Sequence, residues 1–149
     1  MKAESHLAVS LAVSIALYAL FRSLPVSLWS LVGGTLIDLD HFYDYLRYPH
    51  RPSLRAFDPG HFFDVMYQKR LERIFILLHS WEIAVVVLIA GWWFPAAGGW
   101  AMPLGFGMSV HLLMDAFSNA VCVTSYSLAA RWAHRSDREF FYAEKTRGK

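Results

Sequence analysis

Charge is scarce in this chain. Only 17% of its 149 residues are Asp, Glu, Lys or Arg, where a soluble domain carries about 25%. Cysteine is nearly absent: Cys122 stands alone, which excludes an intrachain disulfide scaffold. Neither sign of charge dominates, and a formal net charge of +2 is too small to indicate a nucleic-acid binder. There is no internal repeat and no low-complexity tract, and the length is material for a single domain. What is abundant is apolar. The chain is 56% hydrophobic and 16% aromatic, more than a disordered segment tolerates.

Those apolar residues lie in four blocks. Residues 7–21 and 26–37 hold no formal charge. Among titratable groups, only His79 and Glu82 interrupt residues 74–94, and only His111 and Asp115 interrupt residues 100–117. A membrane-spanning helix needs about 20 such residues. The pattern therefore predicts an all-α fold, a four-helix transmembrane bundle, with spans at about 5–22, 26–45, 74–94 and 100–118. The second span reaches full length only if its helix runs on through Asp38, Asp40 and His41. The Pro-Ala-Ala-Gly-Gly stretch at 95–99 reads as a tight turn between the last two spans. The polar segment 48–73 reads as a cytoplasmic loop with a short interfacial helix at 61–71. From residue 130 the chain becomes charged and solvated, with room for a short C-terminal cytoplasmic helix.

Basic residues sort to one side of such a bundle. Lys2, six Lys or Arg from Arg47 to Arg73 and six from Arg131 to Lys149 make thirteen of fourteen, with Arg22 alone outside. The positive-inside rule then puts both termini and the 48–73 loop in the cytoplasm, in a multi-pass protein of the inner membrane. Trp92, Trp93 and Trp100 flank the outer turn as an interfacial aromatic belt would. The N-terminus lacks a cleavage site of secretory type, so the first span is expected to be retained.

Ionisable groups inside a membrane cost about 2.5–3.5 kcal/mol each on insertion scales, so each needs a reason. Here they are His6, Asp38, Asp40, His41, His79, Glu82, His111 and Asp115. Imidazole and carboxylate without thiolate is metal-ligand chemistry. On helices, His111 and Asp115 share a face at i, i+4, as do His79 and Glu82, and Asp38 and His41, at i, i+3. Asp40 lies about 200° round a helix from Asp38, so the two serve one centre only if the helix loosens there or one acts indirectly. Depth adds to spacing: the alternating directions of four spans bring these groups to one cytoplasmic level. Individually, His6 also suits a helix start, Asp38 and Asp40 a helix end, and His79 with Glu82 a pair tying two helices together.

The same residues carry a resemblance. The chain resembles the YdjM-type membrane-bound metal-dependent hydrolase family in His6 at the head of the first span, Gly33-Gly-Thr-Leu-Ile-Asp-Leu-Asp-His41, His79-Ser-Trp-Glu82 and Gly107-Met-Ser-Val-His-Leu-Leu-Met-Asp115. Ile37 departs from the proline that many members place before Asp-x-Asp-His. That family is distantly similar to zinc-dependent phospholipase C and zinc single-strand nucleases. The resemblance implies a hydrolase of phosphoesters that uses a divalent metal, Zn2+ or else Mn2+ or Fe2+. It implies His6, Asp40, His79, His111 and Asp115 as ligands, Asp38 and His41 as ligands or their supports, and Glu82 as a further ligand or general base, with Asp38 and Glu82 the catalytic candidates. Arg51 and Arg55 are candidates for holding a substrate phosphate, and membrane lipids are the expected partners. The competing classes are a membrane metal-binding or transport protein and a structural interaction protein. Against transport, no inverted repeat is visible, and only Ser10 and Ser14 could continue a polar path.

Overall fold

Small polar residues and glycines, rather than large apolar ones, fill the space between the long helices. The computed structural model describes residues 3–49, 57–67, 70–71, 73–118, 123–136 and 140, and its regular elements are all helices. Helix α1 (Ala3–Phe21) turns back at Arg22, whose φ of 51° is left-handed, and Ser23 and Pro25 open α2 (Leu24–Leu36). The two helices are tied by buried serines. Ser10 Oγ donates to Gly34 O at 2.9 Å, Ser14 Oγ to Ser27 O at 2.8 Å, and Ser27 Oγ to Ser14 O at 2.9 Å. The expectation that Ser10 and Ser14 could line a path is thus replaced by a packing role.

Helix α2 also crosses a later helix, α6 (Pro95–Ser118), at backbone contact. A Cβ on Gly33 would sit 2.1 Å from Leu104 O, and one on Gly107 would sit 2.1 Å from Ser30 O. Only glycine allows that approach. Helix α5 (Trp81–Trp93) lies along the other side of α6. The outer surfaces are apolar, with Leu7, Ile15, Val86, Ile89, Trp92 and Phe117 all at least half exposed.

Three expectations about element boundaries change. The second apolar block is not one helix over 26–45, because α2 stops at Leu36 and a short α3 (Leu39–Leu46) begins after Asp38. The third block is helical only from Trp81, where Ser80 Oγ caps Ile83 N at 3.1 Å. Residues 95–99 belong to α6, and Phe94 alone joins it to α5. In the loop, the short helix is α4 (Pro59–Tyr67). A 3-10 turn at Val123–Tyr126 leads into α7 (Leu128–Ala133), which supplies the C-terminal helix.

Large apolar side chains gather at one end of the bundle. Ile37, Tyr45, Val65, Ile74, Ile76 and Leu112 form a buried cluster around the junction of α2 with α3 and the non-helical residues 74–80. Among the described residues, one helix is long and apolar enough to cross a membrane by itself, over Glu4–Phe21, and Trp81–Trp93 is a shorter apolar one.

Candidate metal centre

His6 near the start of α1, Asp38 and His41 at the α2–α3 junction, His79 just before α5, and His111 with Asp115 on α6 converge at that same end. Ile37 and Asp38 keep right-handed helical dihedrals through the α2–α3 junction, so Asp38 and Asp40 still point to different sides of it. His79 lies in a bend just before α5 rather than on a helix face.

His111 donates its Nδ1–H to Gly34 O at 2.9 Å, since a carbonyl can only accept. His79 likewise donates Nδ1–H to Asp40 Oδ1 at 2.9 Å. With Nδ1 protonated, each neutral ring keeps a lone pair on Nε2, the arrangement that metal-binding histidines show. Both Nε2 atoms are fully buried and have no hydrogen-bond partner among the described residues. A buried polar atom without a partner costs about 1–3 kcal/mol, so two side by side require an explanation.

Two carboxylates surround those nitrogens. Asp38 Oδ1 lies 3.3 Å from His79 Nε2 and 3.4 Å from His111 Nε2. Asp115 Oδ2 lies 3.7 Å and 3.6 Å from the same two atoms. Ligands about 2.0–2.2 Å from a tetrahedral Zn2+ stand about 3.3–3.6 Å apart, so these atoms have the separations of a shared cation. Two more imidazoles flank the centre. His6 Nε2 is 3.0 Å from Asp115 Oδ1, and its ring stacks on His111 at 4.1 Å. His41 Nε2 is 3.9 Å from Asp38 Oδ1. The ligand atoms of His6, His111 and Asp115 all fall within 4.8 Å of one another, as do those of Asp38, His41 and His79. Each set offers two nitrogens and one oxygen, and they adjoin. The donor set fits one or two divalent cations of the borderline class.

One side of the centre is closed and the other open. His6, His79, His111 and Asp115 are at most 5% exposed, whereas the side chains of Asp38 and His41 keep 35% and 33% of their surface. Solvent reaches the centre past those two.

Two of the expected site residues have other partners. Asp40 lies behind His79. Its Oδ2 accepts the amides of Leu78 at 2.7 Å and His79 at 3.2 Å while Oδ1 takes the His79 ring, so the carboxylate holds His79 from behind. Glu82 does not join the centre either. The helical i, i+3 relation to His79 does not exist, because the helix starts after it, and the Glu82 carboxylate accepts from Ser127 Oγ at 2.6 Å and Leu128 N at 2.9 Å. It anchors α7. Arg51 and Arg55 lie outside the described residues.

Three contributors escaped the sequence reading. Gly34 contributes its carbonyl oxygen to His111. Asp44, one helical turn beyond Asp40, accepts Phe75 N at 2.9 Å and Ile76 N at 3.4 Å. Arg131 of α7 is 2% exposed and donates to the carbonyls of Ile76 and His79. The i, i+4 spacing of Asp40 and Asp44 was visible in the sequence as a signal, but not its target. No family model, curated protein or solved structure matches this chain, so the likeness to YdjM-type hydrolases rests on the quoted motifs.

Proposed function

We propose that this chain is a membrane-embedded metal-dependent hydrolase acting on a phosphoester, most naturally a phospholipid or another lipid-linked phosphate. The observation that carries the reading is the pair of buried Nε2 atoms of His79 and His111, without a hydrogen-bond partner among the described residues, each fixed from its Nδ1 and facing Asp38 and Asp115. His6, His79, His111, Asp38, Asp115 and His41 would hold Zn2+ or a similar cation. Bound there, the cation would lower the pKa of a water toward about 7 and polarise a phosphoryl oxygen. Asp38 and His41, at the open lip, would be the groups placed to meet the substrate and to take up a proton. The buried Asp40 and Gly34 carbonyl keep the two inner imidazoles in one tautomer through the cycle.

A four-span topology with both termini cytoplasmic accompanies this reading. It is supported by the polar interior and apolar exterior of the helices, the arrangement lipid favours, and by the thirteen of fourteen basic residues on one side. The long α6 and the broken α2–α3 pair would each cross, and the centre would then lie at headgroup depth. Cysteine labelling in intact cells checks it: sites at 95–99 should react with an impermeant reagent and sites in the 48–73 loop should not. The reverse pattern overturns the topology.

Metal content tests the centre. Detergent-purified protein should carry one or more equivalents of zinc, manganese or iron by inductively coupled plasma mass spectrometry, and His111→Ala or Asp115→Ala should reduce it without loss of helix content. Wild type that takes up no metal after supplementation sinks the reading. Metal bound tightly with no release of phosphate or headgroup from phosphodiester and phospholipid substrates would make it a metal-binding or transport protein instead.

A further inference from the structure

Residues 74–80 form a non-helical stretch, bent at 77–79, at the end of a helical bundle, where each amide and carbonyl needs a partner. Non-helical backbone at membrane depth is tolerated only where protein satisfies it. Here the partners come from two sides. Asp44 and Asp40, one turn apart on α3, accept the amides of Phe75, Ile76, Leu78 and His79. Opposite them, the Arg131 guanidinium donates one nitrogen to Ile76 O and another, at 3.2 Å, to His79 O. A planar fork can hold two carbonyls three residues apart in fixed register, which a point-like ammonium cannot. Burial pulls the Arg131 pKa below the usual arginine value, with Asp40, Glu82 and Asp44 favouring the charged form. Helix α7, which carries Arg131, is itself docked through Glu82, on the far side of His79 in sequence.

From this geometry we infer that Arg131 is a positioning residue for the metal centre: its guanidinium clamps the 76–79 backbone against Asp40 and so sets where His79 Nε2 points. The inference rests on the metal-centre reading and extends it to a helix that supplies no ligand. Asp40 holds the ring by Nδ1 and the amide together, so a shift of the His79 carbonyl tilts both against the centre. Without the clamp, His79 O loses its cation and the stretch can slide along α3 by one amide.

The test uses the full chain in detergent, with Zn2+ affinity read by chelator competition and the ligand set read from the visible absorption of bound Co2+. Arg131→Ala should weaken Zn2+ binding about 10–100-fold, the usual effect of removing a group that orients a ligand, and should weaken the Co2+ bands, with helix content unchanged. Millimolar guanidinium ion should restore part of both, entering by the crevice of about 530 Å3 that Arg131 lines beside Trp132, which is 84% exposed. Arg131→Lys should fall between the two, because it can reach only one carbonyl well. Either variant matching wild type in affinity and spectrum overturns the inference. If Arg131→Ala fails to fold, Arg131→Lys decides by the same criterion. Loss of affinity that follows loss of helix content, without rescue by guanidinium, assigns Arg131 to general folding instead. Wild type that binds neither metal overturns the centre, and this inference with it.

Discussion

Replacing Gly107 by alanine (Gly107→Ala) would place a Cβ 2.1 Å from Ser30 O and 2.9 Å from Gly34 N, where ordinary contact begins at 3.4 Å. Both atoms are α2 backbone, so no side chain can rotate aside. The two helices must part locally by about 1.3 Å, the shortfall of that contact. His111 lies one turn further along α6 and donates to Gly34 O across 2.9 Å. A separation of that size carries the bond beyond the roughly 3.2 Å reach of a good N–H···O contact. The imidazole then loses the acceptor that fixes its tautomer. Overpacking of this kind costs about 1–3 kcal/mol, and losing an orienting partner costs about 10–100-fold in metal affinity. Gly99→Ala supplies the control, since it lies on the same helix with nothing within 4 Å of an added Cβ. There alanine should be neutral or stabilise by about 0.5–1 kcal/mol. Thermal unfolding in detergent, with and without zinc, and zinc competition read both effects. A Gly107→Ala protein that melts with Gly99→Ala and binds zinc as wild type does would refute the reasoning from helix contact to ligand geometry.

Asp40→Asn leaves one oxygen for three donors and turns an amide toward the others, so zinc affinity should fall about 10–100-fold while saturating zinc still fills the wild-type number of sites. A reduced site number at saturation would return Asp40 to the ligand set. Glu82→Gln should weaken the anchoring of α7 and lower stability by about 0.5–2 kcal/mol, the range for losing a helix cap, with a loss of zinc affinity smaller than that of Arg131→Ala and with phosphoesterase activity retained at saturating zinc. Abolished hydrolysis in a Glu82→Gln protein of normal melting temperature would count against its purely anchoring role.

How much of the centre could be read in the sequence depended on whether the ligands sat on unbroken helices. His111 and Asp115 did, and their i, i+4 spacing survives unchanged on α6. His6 was legible through depth alone, because the antiparallel path of α1 and α6 brings their opposite ends together. Asp38 and Asp40 were not separable, because a continuous helix would have set them about 200° apart with nothing to choose between them. In the structure the pair keeps that opposition, Asp38 facing the centre and Asp40 the back of His79. No proline marks the break after Leu36, and the start of α5 is signalled only by its capping Ser80.

The apolar run Ile74 to Leu78 reads locally like the first turns of a helix, and local propensity is a weak prior when tertiary partners compete. What overrides it lies far along the chain. The two carboxylates of α3 are more than thirty residues before that run, and the guanidinium of α7 more than fifty after it. These charges offer the backbone of residues 74–80 hydrogen bonds as good as a helix would, and charge-assisted ones at that. Glu82 was misread for the same reason, since a face shared with His79 exists only if the helix begins before it. The residues that convert an apolar run into a ligand-bearing strap are the ones whose partners no spacing rule within the run can reveal. Buried charges on α3 and α7 that bond backbone rather than each other are therefore the mark of where this bundle gives up helix to build its centre.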